Sequence, residues 1–112
     1  MHRFDPKPLN AFFQEVKDQT GIELKYQADN EKFPIQLSDQ PDGISRAHSH
    51  EIMSMIKSQV DLKDTEIAKI TPVPLTQRVV IEITQQAAHD LAQVYAMSLF
   101  IEPDDEDDTD PK

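Results

Sequence analysis

Apolar residues recur along this chain first with the period of a helix and then with the period of a strand. Leu9, Phe12, Phe13 and Val16 fall at i, i+3, i+4 and i+7, with polar Asn10, Gln14, Glu15 and Lys17 away from them, which predicts an amphipathic helix. Asp5 is placed to cap it. Pro6 and Pro8 suit its first turn, whose amides are unpaired anyway, and Gly21 after Thr20 suits its left-handed end. The period then changes to two. Ile22, Leu24 and Tyr26 alternate with Glu23, Lys25 and Gln27, and Phe33, Ile35 and Leu37 alternate with Pro34 and Gln36. Two half-buried strands joined by a hairpin loop over 28–32 are expected, with Pro34 assigning the second to a sheet edge or leaving its N–H side unpaired.

Beyond the turn cluster at 38–43, a second helix is expected from a cap at Asp42 or Ser45 to about Gln59. At about 100° per residue its apolar stripe comprises Ile44, His48, Ile52, Met55 and Ile56, leaving His50 and Met53 off the stripe. Residues 62–71 read as a strand over Thr65 to Thr71 or as one more helical turn begun at Asp64, the strand being preferred. Pro72 and Pro74 force an extended connection. Gln77 to Thr84 then has the strongest strand pattern, with Val79, Ile81 and Ile83 on one face and Arg78, Val80 and Glu82 on the other, and is expected at the sheet centre. Thr84 caps a third helix carrying Ala87, Leu91, Val94, Tyr95 and Ser98 along one side.

The order helix, strand, strand, helix, optional strand, strand, helix predicts an α+β domain. A small, mainly antiparallel sheet of three to five strands is covered by about three helices. Such a sheet is open, and its free edge, together with Met53 and Phe100, is where a homodimer contact would sit.

Charge divides the chain in two. Of 21 acids and 11 bases, seven acids and one base lie in residues 102–112, and the whole carries a net charge of −10. Like charges this dense, with no apolar residue between Pro103 and Pro111, predict a disordered acidic tail over 103–112 attached to a single domain over 1–102. The bases are spread singly along the sequence, so direct binding to nucleic acid or to an anionic membrane is disfavoured. No apolar run approaches the roughly 20 residues needed to span a bilayer, and the absence of cysteine fits a reducing compartment. The sequence therefore reads as that of a cytoplasmic protein.

Candidate chemistry is sparse. His48, Ser49, His50 and Glu51 invite a metal or acid–base reading, but residues two apart on a helix point about 200° away from each other, so the two histidines cannot share an ion there. His48 on the apolar stripe reads as structural. Glu82 lies on the wet face of its strand, suited to a solvated position or a cross-strand partner. Two glycines in all leave no phosphate-cradling loop and no nucleophile elbow. The acidic tail lacks the glycine and glutamate of a calcium loop. No catalytic, cofactor or metal residue is assigned.

The reading that remains is a small acidic, non-enzymatic protein-binding module, such as an adaptor, a specialised chaperone or an inhibitor, acting on a basic protein. Its contact residues would include Met53, Phe100, Asp104, Asp105, Glu106, Asp107 and Asp108. The helix–strand–strand opening and the acidity are similar to those of small α+β dimers that escort secreted proteins, a likeness of architecture alone. One alternative is a nucleic-acid mimic that occupies the basic groove of a DNA-handling protein. Another is a small enzyme with a cryptic site drawing on Tyr95, His89 or His48.

Overall fold

The computed structural model describes residues 5–38, 40 and 42–101, with side chains described no further than Met97. Their elements run α1 (Leu9–Thr20), β1 (Leu24–Tyr26), β2 (Ile35–Leu37), β3 (Ile44–Ser45), α2 (Arg46–Lys57), α3 (Asp64–Ile67), β4 (Ala68–Pro72), β5 (Arg78–Ile83) and α4 (Gln85–Ile101). Every strand pairing is antiparallel, and the fold is α+β as the pattern predicts. The side chain of Phe100, the acidic residues Asp104, Asp105, Glu106, Asp107 and Asp108, and the whole expected tail lie outside the described residues.

The first helix begins later than expected. A turn over Pro6 to Pro8 precedes it, in which the Pro6 and Lys7 carbonyls accept the Leu9 and Asn10 N–H groups at 3.0 and 3.1 Å. Asp5 accepts the Lys7 N–H at 3.0 Å and so holds this turn instead of capping the helix. Gly21 ends α1 in the left-handed conformation at φ 77°. The stripe buries Leu9, Phe12 and Val16 completely, whereas Phe13, expected at its centre, is only half-buried. Phe12 meets the ring of Tyr95 from α4 edge to face, with centroids 6.0 Å apart.

The same tyrosine ties α4 to α1, its hydroxyl donating to the Glu15 carboxylate. Burial first, and then the hydrogen bond and negative charge of Glu15, push the Tyr95 hydroxyl well above the ordinary tyrosine range. The folded state thus keeps a proton that the unfolded chain releases near pH 10, so this contribution to stability is complete below about pH 10 and is lost as pH rises further. Denaturant titrations at increasing alkaline pH should show wild type losing stability more steeply than Tyr95→Phe. Equal slopes would refute the assignment.

β5 is the central strand. β4 pairs with one of its edges over the whole run from Ala68 opposite Ile83 to Pro72 opposite Val79. The other edge is shared by two strands in succession: β2 places Ile35 opposite Ile83, and β3 places Ile44 opposite Val79. β1 completes the sheet beyond β2. Pro34 therefore does not mark an edge. It sits just before β2, where its carbonyl accepts from the Gln27 N–H and its missing amide costs the inner pairing nothing. The core lies between the helices and the face bearing Leu24, Ile35, Ile44, Ala68, Val79, Ile81 and Ile83. On the opposite face Glu82 is partly exposed, with Gln36 and Lys69 as its cross-strand neighbours.

Ile44 belongs to β3, not to the second helix, which changes that helix's inward face. Ser45 is the N-cap of α2, accepting the His48 N–H at 3.1 Å, and the buried residues of α2 are Ser49, Ile52, Met53 and Ile56. Met53, expected off the stripe, is 6% exposed, while His48 and Met55 lie half-buried at the margin of the inward face. The stripe rotates because α2 follows directly from a strand and is covered by both α1 and the sheet. Residues 62–71 contain both predicted states, a helical turn over Asp64–Ile67 followed at once by β4. Thr84 caps α4 as expected, accepting the Ala87 N–H at 3.2 Å while its hydroxyl donates to the Glu66 carbonyl at 2.6 Å.

Candidate functional site

Between α2 and β4 runs an open groove of about 380 Å³. One wall is the helix row Arg46, Ser49, His50, Met53, Ser54 and Lys57, whose spacing of three and four residues keeps it on one side of α2. The facing wall is Asp64 and Thr65 of α3 with Ala68 and Ile70 of β4, and Val79 of β5 contributes to the floor. Met53, Ala68, Ile70 and Val79 make the floor apolar. Arg46 and Lys57 place a basic side chain toward each end of the helical wall, with His50 between them and Asp64 facing Lys57. Lys57 Nζ meets Asp64 Oδ1 at 2.7 Å and bridges the two walls at one end. Both partners are largely exposed, so this bridge is worth little to stability.

Among the described residues β4 is an edge strand, and its hydrogen-bonding phase follows from the two ends of the β4–β5 pair. The Val73 N–H donates to the Arg78 carbonyl at 3.0 Å and the Thr84 N–H donates to the Ile67 carbonyl at 2.8 Å. Antiparallel pairs alternate, so Lys69 and Thr71 bond inward to β5, whereas Ala68, Ile70 and Pro72 direct their backbone groups outward. The Ala68 N–H is already taken by the Asp64 carbonyl, and proline has no N–H. Ile70 is then the residue of β4 that offers both a donor and an acceptor to the outside. Pro72 stands at an outward position, where its lack of an amide does not weaken the inner ladder and limits extension of the edge.

The Ile70 side chain, on the groove face, is 43% exposed. All of β4 after Ala68 is exposed, so the strand projects past the cover of the helices. The hairpin it forms with β5 turns through Leu75, whose side chain is fully exposed and whose φ is 63°. That conformation is costly for a branched residue and is held by Thr76, whose N–H and hydroxyl both donate to the Val73 carbonyl, at 3.2 and 2.9 Å.

Of the residues that the sequence singles out for contact, Met53 reaches this groove, as part of its floor. His48, His89 and Tyr95, named for a cryptic catalytic site, stand on α2 and α4, and none of them lines the groove. Among the described residues no group of three histidine, aspartate or glutamate side chains is arranged to hold a metal ion. Arg46, His50, Lys57 and Ile70 are the groove residues that sequence reasoning missed. The signal for the first three was present as Arg46, His50 and Lys57 at i, i+4 and i+11 of one helix. Nothing in the sequence marked Ile70, because its exposure depends on which side of β5 the strand occupies.

No family model, no curated protein and no solved structure matches this chain. No described helix is long and apolar enough to cross a membrane.

Proposed function

We propose that this protein is a small non-enzymatic protein-binding module, of the adaptor, specialised chaperone or inhibitor kind, whose contact face is the groove between α2 and β4. The observation that carries the reading is the exposed Ile70 side chain on a strand whose outer edge has no partner among the described residues, beside the groove over α2. Surface apolar area beside unpaired backbone groups is the combination that association with another chain would cover. The net charge of −10 favours a partner whose body is basic, drawn in by long-range attraction. The groove itself then supplies the short-range contact.

The test is capture from the source cell by the immobilised full chain, at low and high salt, with wild type and Ile70→Lys compared and proteins identified by mass spectrometry. The reading expects one basic protein, held less well at high salt and released by Ile70→Lys. Equal capture by both forms, or a co-purifying metabolite in place of a protein, would overturn it. Ile70 is exposed on an edge strand, so the lysine leaves the core intact.

A further inference from the structure

We infer that the outer edge of β4 receives an extended segment of another protein as an added antiparallel strand, and that this segment alternates apolar with acidic side chains. The inference rests on the protein-binding reading above and specifies how that groove is filled.

Strand addition is set by the backbone. Ile70 presents an N–H and a C=O outward, and the Ala68 and Pro72 carbonyls flank it on the same edge. A residue placed opposite Ile70 exchanges two hydrogen bonds with it and puts its own side chain on the same face, over the floor formed by Met53, Ala68 and Val79. Small or branched apolar groups fit there. The neighbouring residues of the added strand face the other way, beside exposed Lys69. Across the groove, Arg46 and His50 line the helical wall. An added strand thus meets Arg46 on the groove side and Lys69 on the other, which selects acidic over basic residues at its polar positions.

The same charges argue against two other occupants. A second copy of this chain pairing β4 with β4 about a two-fold axis at Ile70 would bring two Arg46 guanidinium groups and two Lys69 side chains toward each other. It would also meet Pro72, which has no N–H, at each end of the ladder. The chain's own residues 102–112 have the right charge but no apolar side chain with which to cover the floor.

The test uses the isotope-labelled full chain and amide NMR. The probe is the blocked heptapeptide Glu-Val-Glu-Ile-Glu-Val-Glu. Its two comparisons are the same peptide with lysine in place of glutamate, and the glutamate peptide N-methylated at its isoleucine and both valines. The expected result is saturable binding of the first peptide, with the largest shifts at Lys69, Ile70 and Thr71. Both comparison peptides should bind at least tenfold more weakly, since one reverses the charge and the other removes the donors that would pair with β4. The double variant Arg46→Gln/Lys69→Gln should bind the glutamate peptide at least threefold more weakly while keeping the wild-type spectrum elsewhere.

Equal affinity for the lysine peptide, undiminished binding of the N-methylated one, or no saturation in the millimolar range would overturn the inference. So would Ile70 shifts that appear on raising protein concentration alone, which would identify a second copy as the occupant. Binding seen only after deletion of residues 103–112 would assign the edge to the chain's own terminus and overturn it too. Each of these results leaves the capture experiment with Ile70→Lys to judge the broader protein-binding reading separately.

Discussion

Replacing Gly43 by alanine is expected to unfold the protein more readily than any other single-methyl change, lowering stability by roughly 2 to 5 kcal/mol. Two costs add: about 1 to 2 kcal/mol for a left-handed conformation and about 1 to 3 for overpacking. Gly43 has φ +81°, and a β-carbon there would stand 2.4 Å from the Val79 carbonyl oxygen and 2.8 Å from its carbon. Those atoms belong to the central strand and cannot move aside without breaking β5 from its neighbours. Arg78 holds the turn in place from the next position, its Nη2 donating to the Gly43 carbonyl at 2.7 Å and its Nε reaching the Gly43 and Asp42 carbonyls at 3.2 and 3.3 Å.

Gly21 is the control. Its φ is +77° but nothing lies within 4 Å of an added β-carbon, so Gly21→Ala should cost only the conformational term. At about 4 to 8 °C per kcal/mol for a domain of this size, Gly43→Ala should melt at least about 8 °C below wild type and clearly below Gly21→Ala. Coincident melting of the two alanine variants would show that the close approach of β3 to β5 is not a structural requirement.

Phe12→Ala is expected to cost about 3 to 5 kcal/mol, through lost burial and the cavity left between α1 and α4. Phe12 is fully buried and contacts the Phe13 and Tyr95 rings, at centroid distances of 6.2 and 6.0 Å. Phe13 keeps part of its surface in water in the folded state, so its truncation should cost well under half as much. Urea unfolding of the two variants, with slopes checked for equality, separates them directly. If Phe13→Ala proved the more damaging, the rotation of α1 about its axis would be misassigned. Ile81→Ala, in the middle of β5 and fully buried, belongs with Phe12→Ala in the severe class.

Both variants turn on rotation and approach, which periodicity fixes only in part. The stripe Leu9, Phe12, Phe13, Val16 spans more than the width that α1 buries, and the packing of α1 against α2, α4 and β1 decides which phenylalanine is enclosed. The same limit moved Met53 inward. Ile44, expected on the stripe of the second helix, pairs instead with Val79 in β3, and α2 turns Ser49 and Met53 inward. A two-residue strand carries too little pattern to be read from sequence. It exists because Gly43 permits the turn and β5 offers an unoccupied stretch of edge beyond β2.

The candidate groove was legible in pieces. Its helical wall could have been found from Arg46, His50 and Lys57 on one helix. Its other wall could not, because residues 62–71 carry competing signals, and the structure satisfies both, with a short helix at Asp64–Ile67 running into β4.

What the sequence determined by itself was the local order. It set α1 and its stop at Gly21, the hairpin of β1 and β2, the dominance of β5 and the cap at Thr84, each of which depends on neighbours within a few residues. It also set the α+β class, which follows from that order. Tertiary structure alone decided that β4 takes one whole edge of β5 while β2 and β3 divide the other, and hence that Ile70 is exposed across the groove from Arg46 and Lys57. The physical reason is that sheet edges and groove walls are made by pairings between residues far apart in the chain. Those pairings are chosen by the fit of backbones and side chains in space, such as Gly43 against Val79, and such a fit leaves no periodic trace in either segment.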